Sequence, residues 1–123
     1  MPTLRELDAH LLRYDPVADG QGGVSHAFVE DVPMPQAHGI RFGCPKSFAA
    51  NGGMAGAHFI IVYFRGSPVP AELGKNTKGE TVRWQASGTG IDDLSLAPSI
   101  QEESNCGWHG WVGNSGVPRG SAA

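Results

Sequence analysis

No apolar run in this 123-residue sequence approaches the roughly 20 residues that a helix needs to span a bilayer. The longest, from His58 to Phe64, ends at charged Arg65. A helical membrane span is excluded, and the sequence reads as that of a soluble protein. Basic runs are also missing and the formal net charge is -3, so the electrostatic footprint of a nucleic-acid binder is absent. The N-terminus, Met1-Pro2-Thr3-Leu4-Arg5-Glu6-Leu7, lacks the basic-then-apolar order of a secretory signal. A reducing cytoplasm is the expected compartment.

Missing motifs narrow the chemistry further. Gly88-Thr89-Gly90 has neither the lysine spacing of a phosphate loop nor the strand-glycine-helix setting of a dinucleotide fold. No serine or cysteine nucleophile motif is present. Cysteine is scarce, with only Cys44 and Cys106, so any metal site must be argued from local spacing and not from thiol count. There is no internal repeat, heptad or linker that would mark a second domain.

Glycine and proline, by contrast, are plentiful at eighteen and nine. Both are costly inside helices and useful in turns, which predicts many short strands joined tightly. The expected fold is mainly β: a small single-domain antiparallel sheet with one or two short helices, held by a metal site. Leu4, Leu7, Leu11 and Leu12 share a helical face, so a helix or extension is expected over residues 1–20, ended by Asp15-Pro16 and Gly20-Gln21-Gly22-Gly23. A β domain follows over 24–117, with a disordered tail at 118–123.

Within that domain, Val24 to Val32 and Ile40-Arg41-Phe42 read as extended, and Ser47 to Asn51 as a helical turn closed by Asn51-Gly52. Six consecutive apolar residues, Phe59 to Phe64, are predicted to form the central strand, covered on both faces. Thr81-Val82-Arg83-Trp84 alternates as a half-buried strand. Leu94 to Ile100 contains Pro98 and is therefore placed at a sheet edge. Trp111-Val112, Gly113 to Gly116 and Val117 predict a closing hairpin.

Chemistry concentrates in Asn105-Cys106-Gly107-Trp108-His109-Gly110-Trp111. Cys106-x-x-His109 puts a thiol and an imidazole in one turn, the ligand types that zinc prefers, and the flanking glycines permit a tight path. Two ligands hold nothing alone. Cys44, before the rigid Pro45, and His58, at the head of the apolar run, complete a Cys2His2 set of Cys44, His58, Cys106 and His109. The competing readings are two separate buried thiols or a disulfide for the cysteines, and an ordinary strand-end residue for His58. His10, His26 and His38 read as surface residues, with His38 a reserve ligand.

The order Cys44-Pro45-Lys46, Asn51-Gly52-Gly53, His58 opening an apolar strand, Arg83-Trp84, Ser87-Gly88-Thr89-Gly90-Ile91-Asp92-Asp93-Leu94, Pro98-Ser99-Ile100 and Cys106-Gly107-Trp108-His109-Gly110 resembles small proteins of tailed bacteriophages and prophages. More loosely, it is similar to a bacterial metal-binding domain family of unknown function. The resemblance covers roughly residues 39–117 and implies a phage or prophage origin and a metal site, with the host bacterial cytoplasm or the virion as its location. Several such phage proteins carry a second cysteine where this chain has Ser47, which makes His58 the replacement ligand here.

Carboxylates offer an alternative. Asp92-Asp93 invites an acid-base reading, but after Ser87-Gly88-Thr89-Gly90 the pair is better explained as turn chemistry. Glu102 and Glu103 stand where a carboxylate could activate a metal-bound water, but an exposed acidic loop is the better explanation. Trp84, Trp108 and Trp111 read as core around the metal rather than as a binding platform. The leading expectation is a non-catalytic zinc-binding β module that binds a host or virion protein. A metal-dependent hydrolase with an open zinc position and a minor virion component are the alternatives.

Overall fold

The computed structural model describes residues 3–50, 52, 58–76, 78–101, 109–113 and 118–120. Three antiparallel sheets account for its strands, as the turn-rich composition predicts. The first contains β1 (His10–Tyr14), β4 (Phe28–Glu30), β5 (Gly39–Gly43) and β6 (Phe59–Tyr63) in the order β4-β1-β5-β6. The second contains β7 (Gln85–Ser87), β8 (Ser95–Gln101), β9 (His109–Val112) and β10 (Pro118–Gly120), and its strands neighbour one another in chain order. A short two-stranded arm of β2 (Val17–Ala18) and β3 (Val24–Ser25) projects from the first sheet. The only α-helix among the described residues, α1 (Pro45–Ala50), falls where a helical turn was expected.

Alternation builds the core. Leu11 on β1, Ile40 and Phe42 on β5, and Ile60 and Val62 on β6 point to the inner side of the first sheet. They join Leu94, Leu96, Ile100 and Val112 from the second half of the chain in one continuous cluster. The two sheets are linked at the β6 end, where Phe64 forms an isolated parallel bridge to Trp84. There the Trp84 amide donates to the Tyr63 carbonyl, and the Arg65 amide to that of Trp84.

One end of the outer face of the first sheet is covered too, by rings. Tyr14 lies 5.5 Å from Phe28, which stacks on Tyr63 at 5.7 Å with planes 17° apart. The Arg83 guanidinium caps Tyr63 at 5.3 Å and donates to the carbonyls of Val69, Pro70, Leu73 and Val82, so one side chain organises the loop folded over this face. Gly39 makes the stacking possible. A Cβ there would stand 2.7 Å from the Val62 carbonyl oxygen and 3.2 Å from the Tyr63 ring.

Several expectations are corrected. Residues 4–8 form turns and not a helix, and β1 follows them directly. Leu4 and Leu7 are fully buried from the turn, while successive Leu11 and Leu12 are buried on opposite sides of a strand. Helical leucine spacing was thus satisfied by a turn plus a strand, because sheet pairing on both edges of β1 outweighs a weak local propensity. β6 is the end strand of its sheet and not the central one, and it alternates: Ile60 and Val62 are buried, whereas Ile61 is 47% exposed.

Pro98 sits in an interior strand, β8, not at an edge. It is tolerated because the β8–β9 register shifts between Leu96 and Ile100, and a bulge needs no amide from proline. The expected strand over Val24 to Val32 is split into β3 and β4, and Thr81 to Trp84 contributes only isolated bridges before β7 begins. The tail expected to be disordered from Pro118 instead pairs with β9 through Gly120. Residues 114–117 of that hairpin lie outside the described residues.

Candidate metal centre

Cys44 closes β5 and opens α1, its carbonyl accepting the Phe48 amide at 2.8 Å. Its own amide donates to the His58 carbonyl at 2.9 Å, extending the β5–β6 ladder one step past the Gly43–Phe59 pair. Residues opposite one another on antiparallel strands share a face. Alternation from Phe42 and Ile60 therefore sets Cys44 and His58 on the core side, where Cys44 is buried and His58 half-buried. Two of the four expected ligands are neighbours, although they are fourteen positions apart in sequence.

His109 begins β9. Gly110 and Val112 face inward on this strand, while His109 shares the other side with Trp111, the two rings 5.4 Å apart. His109 Nε2 lies 3.1 Å from Ser99 Oγ on β8. The backbone thus joins His109 to the same core through Val112, but its imidazole stands on the Trp111 side. Cys106, together with Glu102, Glu103 and Trp108, lies outside the described residues. Of the other tryptophans, Trp84 packs against the core and donates Nε1–H to the Ser99 carbonyl, whereas Trp111 is 46% exposed. His38, the reserve ligand, accepts the Tyr14 amide on Nδ1 at 2.9 Å, and burial lowers its pKa. That nitrogen is occupied by the fold.

The aspartate pair does structural work. Asp93 accepts hydrogen bonds from the Thr89 amide, the Thr89 hydroxyl and the Gly90 amide, and these hold its pKa below the ordinary carboxylate value. Gly88 has φ of 117°, and a Cβ there would meet the Asp93 carbonyl oxygen at 2.6 Å, so this turn requires glycine. Asp92 forms a two-pronged pair with Arg5 at 2.8 Å for each bond, tying the N-terminal turn to the connection between β7 and β8.

A charged cluster that the sequence did not announce surrounds His10. Nδ1 lies 2.7 Å from Asp31 Oδ1, Nε2 lies 3.0 Å from Asp8 Oδ1, and Glu30 is 3.9 Å from Nδ1. Glu30 also pairs with Arg41, whose guanidinium lies 4.9 Å from the Phe59 ring centroid. His10, Glu30 and Asp31 bring ligand-type atoms within 4.8 Å of one another. With carboxylates at both ring nitrogens, however, the favoured state is imidazolium, which has no lone pair for a metal. The hydrogen bond to Asp31 chiefly raises the His10 pKa, with burial opposing it. Asp8 and Asp31 also have positive φ, 55° and 61°, and are the only non-glycine residues so placed among those described. Asp8-x-His10 and Glu30-Asp31 were the available signals, but only strand pairing brings them together.

No protein-family model, curated protein or solved structure matches this chain.

Proposed function

We propose that this chain is a small zinc-binding β module of phage or prophage origin that acts without catalysis, by binding a protein of the host or the virion. The observation that carries the metal reading is the Cys44–His58 pairing. A thiol and an imidazole sit opposite each other at the end of β5 and β6, on the core side, and soft sulfur with imidazole nitrogen suits zinc. Cys106-x-x-His109 supplies the other half from the segment leading into β9. The Ser99 contact at His109 Nε2 leaves Nδ1 as the nitrogen offered, with the outer-shell support typical of ligating histidines.

Four protein ligands would make a closed, structural site, which requires the His109 ring, here on the Trp111 side of β9, to turn toward Cys44 and His58. The engagement of Asp92 with Arg5 and of Asp93 with its own turn supports the non-catalytic reading, since neither carboxylate is left to activate water. Partner binding is supported by the exposed apolar groups, Trp111 on β9 and Val17 and Val24 on the projecting arm. The phage origin rests on the resemblance of the motifs. On this reading the full chain purifies with about one zinc and loses folded structure on chelation. Cys44→Ser and Cys106→Ser lose the metal, and Asp92→Ala keeps it. Metal-free protein with an unchanged melting curve would sink the proposal.

A further inference from the structure

On the opposite face of the first sheet, well apart in sequence from Cys44 and His58, three side chains form a line. Tyr14 Oη lies 2.8 Å from His26 Nδ1, and His26 Nε2 lies 3.1 Å from Glu72 Oε1. They come from β1, from the two-residue link between β3 and β4, and from the loop organised by Arg83. Chemistry fixes the roles. An ionised carboxylate only accepts, so in the neutral form of the ring, the form the relay uses, the proton sits on Nε2 toward Glu72. Nδ1 is then a bare acceptor, and the Tyr14 hydroxyl is the donor. A hydroxyl bonded to a base that a third group orients is the arrangement of an activated nucleophile.

We propose that Tyr14, His26 and Glu72 form a hydroxyl-activating relay in which Tyr14 Oη accepts an acyl group from a neutral aryl ester. In the step, Oη attacks the ester carbonyl carbon and a new C–O bond forms. The bond to the aryl oxygen breaks, the phenolate leaves, and the Tyr14 proton passes to His26 Nδ1 and on to the phenolate. Products and reactants balance without oxidant or metal. The neighbourhood selects the substrate class. The Phe28 ring, 5.5 Å from that of Tyr14, gives an aryl group an apolar neighbour, while the Glu72 charge opposes anionic phosphate esters. Tyr14 is a group acceptor here, and the relay uses none of the residues of the proposed zinc site.

The sequence has two tyrosines, and Tyr63 serves as an internal control because burial raises its pKa. The full chain is treated with p-nitrophenyl acetate at neutral pH, with nitrophenolate release followed by absorbance and acetyl groups located by peptide mass spectrometry. Acetylation of Tyr14 at least about 100-fold faster than that of Tyr63 or of N-acetyltyrosinamide is the expected result, the size general-base assistance supplies. Tyr14→Phe removes that phase, and His26→Ala lowers the Tyr14 rate to that of N-acetyltyrosinamide. Glu72→Gln, at an exposed loop position, lowers it to between the two with an unchanged circular-dichroism spectrum. Tyr14 reacting no faster than N-acetyltyrosinamide in the unaltered protein overturns the proposal, as does acetyl confined to lysines, or a Tyr14 rate indifferent to both His26→Ala and Glu72→Gln.

Discussion

His10 Nδ1 lies 2.7 Å from Asp31 Oδ1, and this contact joins the first strand to the turn that follows β4. With Asp8 on the other ring nitrogen, the imidazolium clamps together two turns whose backbones both take positive φ. Conformations of that kind persist where surrounding contacts hold them.

The clamp sets a pH dependence. The His10 pKa is raised in the folded protein above its ordinary value of 6.5, so the folded state binds the proton more tightly than the unfolded state. The stabilisation is fully present below about 6.5 and is lost as pH rises through the raised folded value. Melting temperatures recorded from pH 5 to 9 should show wild type losing more stability on the alkaline side than His10→Gln. Parallel curves for the two proteins would refute the clamp.

One substitution at adjacent positions tests the alternation of β6. Ile60 is 3% exposed and Ile61 47%. Ile60→Ala should cost about 2–5 kcal/mol through lost burial and a residual cavity. Ile61→Ala should cost under about 1 kcal/mol, the scale of surface and strand-propensity effects. Urea denaturation followed by circular dichroism reads both, and equal losses would restore a strand covered on both faces.

These neighbours also show where the sequence was legible. Fold class followed from glycine, proline and short β-forming runs, and α1 and β5 lie where the local signals placed them. The misreadings share a cause. An unbroken apolar run such as Phe59 to Tyr63 does not reveal whether its outer face is covered by a second layer, and here rings on β1 and β4 and a loop cover Tyr63 but leave Ile61 exposed. Likewise, leucine spacing over residues 4–12 fits a helix until two partner strands claim the backbone. Of the proposed ligands, Cys44 and His58 do come together, a consequence of strand pairing that no local spacing contains. The Tyr14, His26 and Glu72 line was invisible for the same reason, since it needs three separate segments.

Gly39→Ala tests the ring layer. The added methyl would strike a backbone carbonyl and the Tyr63 ring, and neither yields without moving the strand. A loss of about 1–3 kcal/mol is expected, typical of overpacking. The near-ultraviolet circular dichroism of Tyr63 should change with it. A neutral Gly39→Ala would show that the stack is not tightly seated.

Asp93 sets the acid limit of its turn. Its pKa is lowered chiefly by the bonds from Thr89, so this stabilisation is present above the ordinary carboxylate value and is lost as pH falls through the lowered folded value. Asp93→Asn should reduce the melting temperature at pH 7, and the gap from wild type should close in strong acid. Asp92→Asn, which disturbs only an exposed pair with Arg5, should have the smaller effect at pH 7. The reverse ranking would show that the Arg5 pair, not the turn, holds this corner.

The two four-stranded sheets draw on separate stretches of chain, residues 10–63 for the first and 85–120 for the second. A nascent polypeptide lengthening at about 5–20 residues per second therefore completes every strand of the first sheet seconds before Val112 leaves the ribosome. During that interval Ile40, Phe42, Ile60 and Val62 have no second sheet to cover them, and β6 has an open edge until Trp84 arrives to bridge Phe64. The half made last pairs only neighbouring strands and closes quickly. Aggregation during biosynthesis should thus be governed by how long translation dwells between the codons for Tyr63 and Val112.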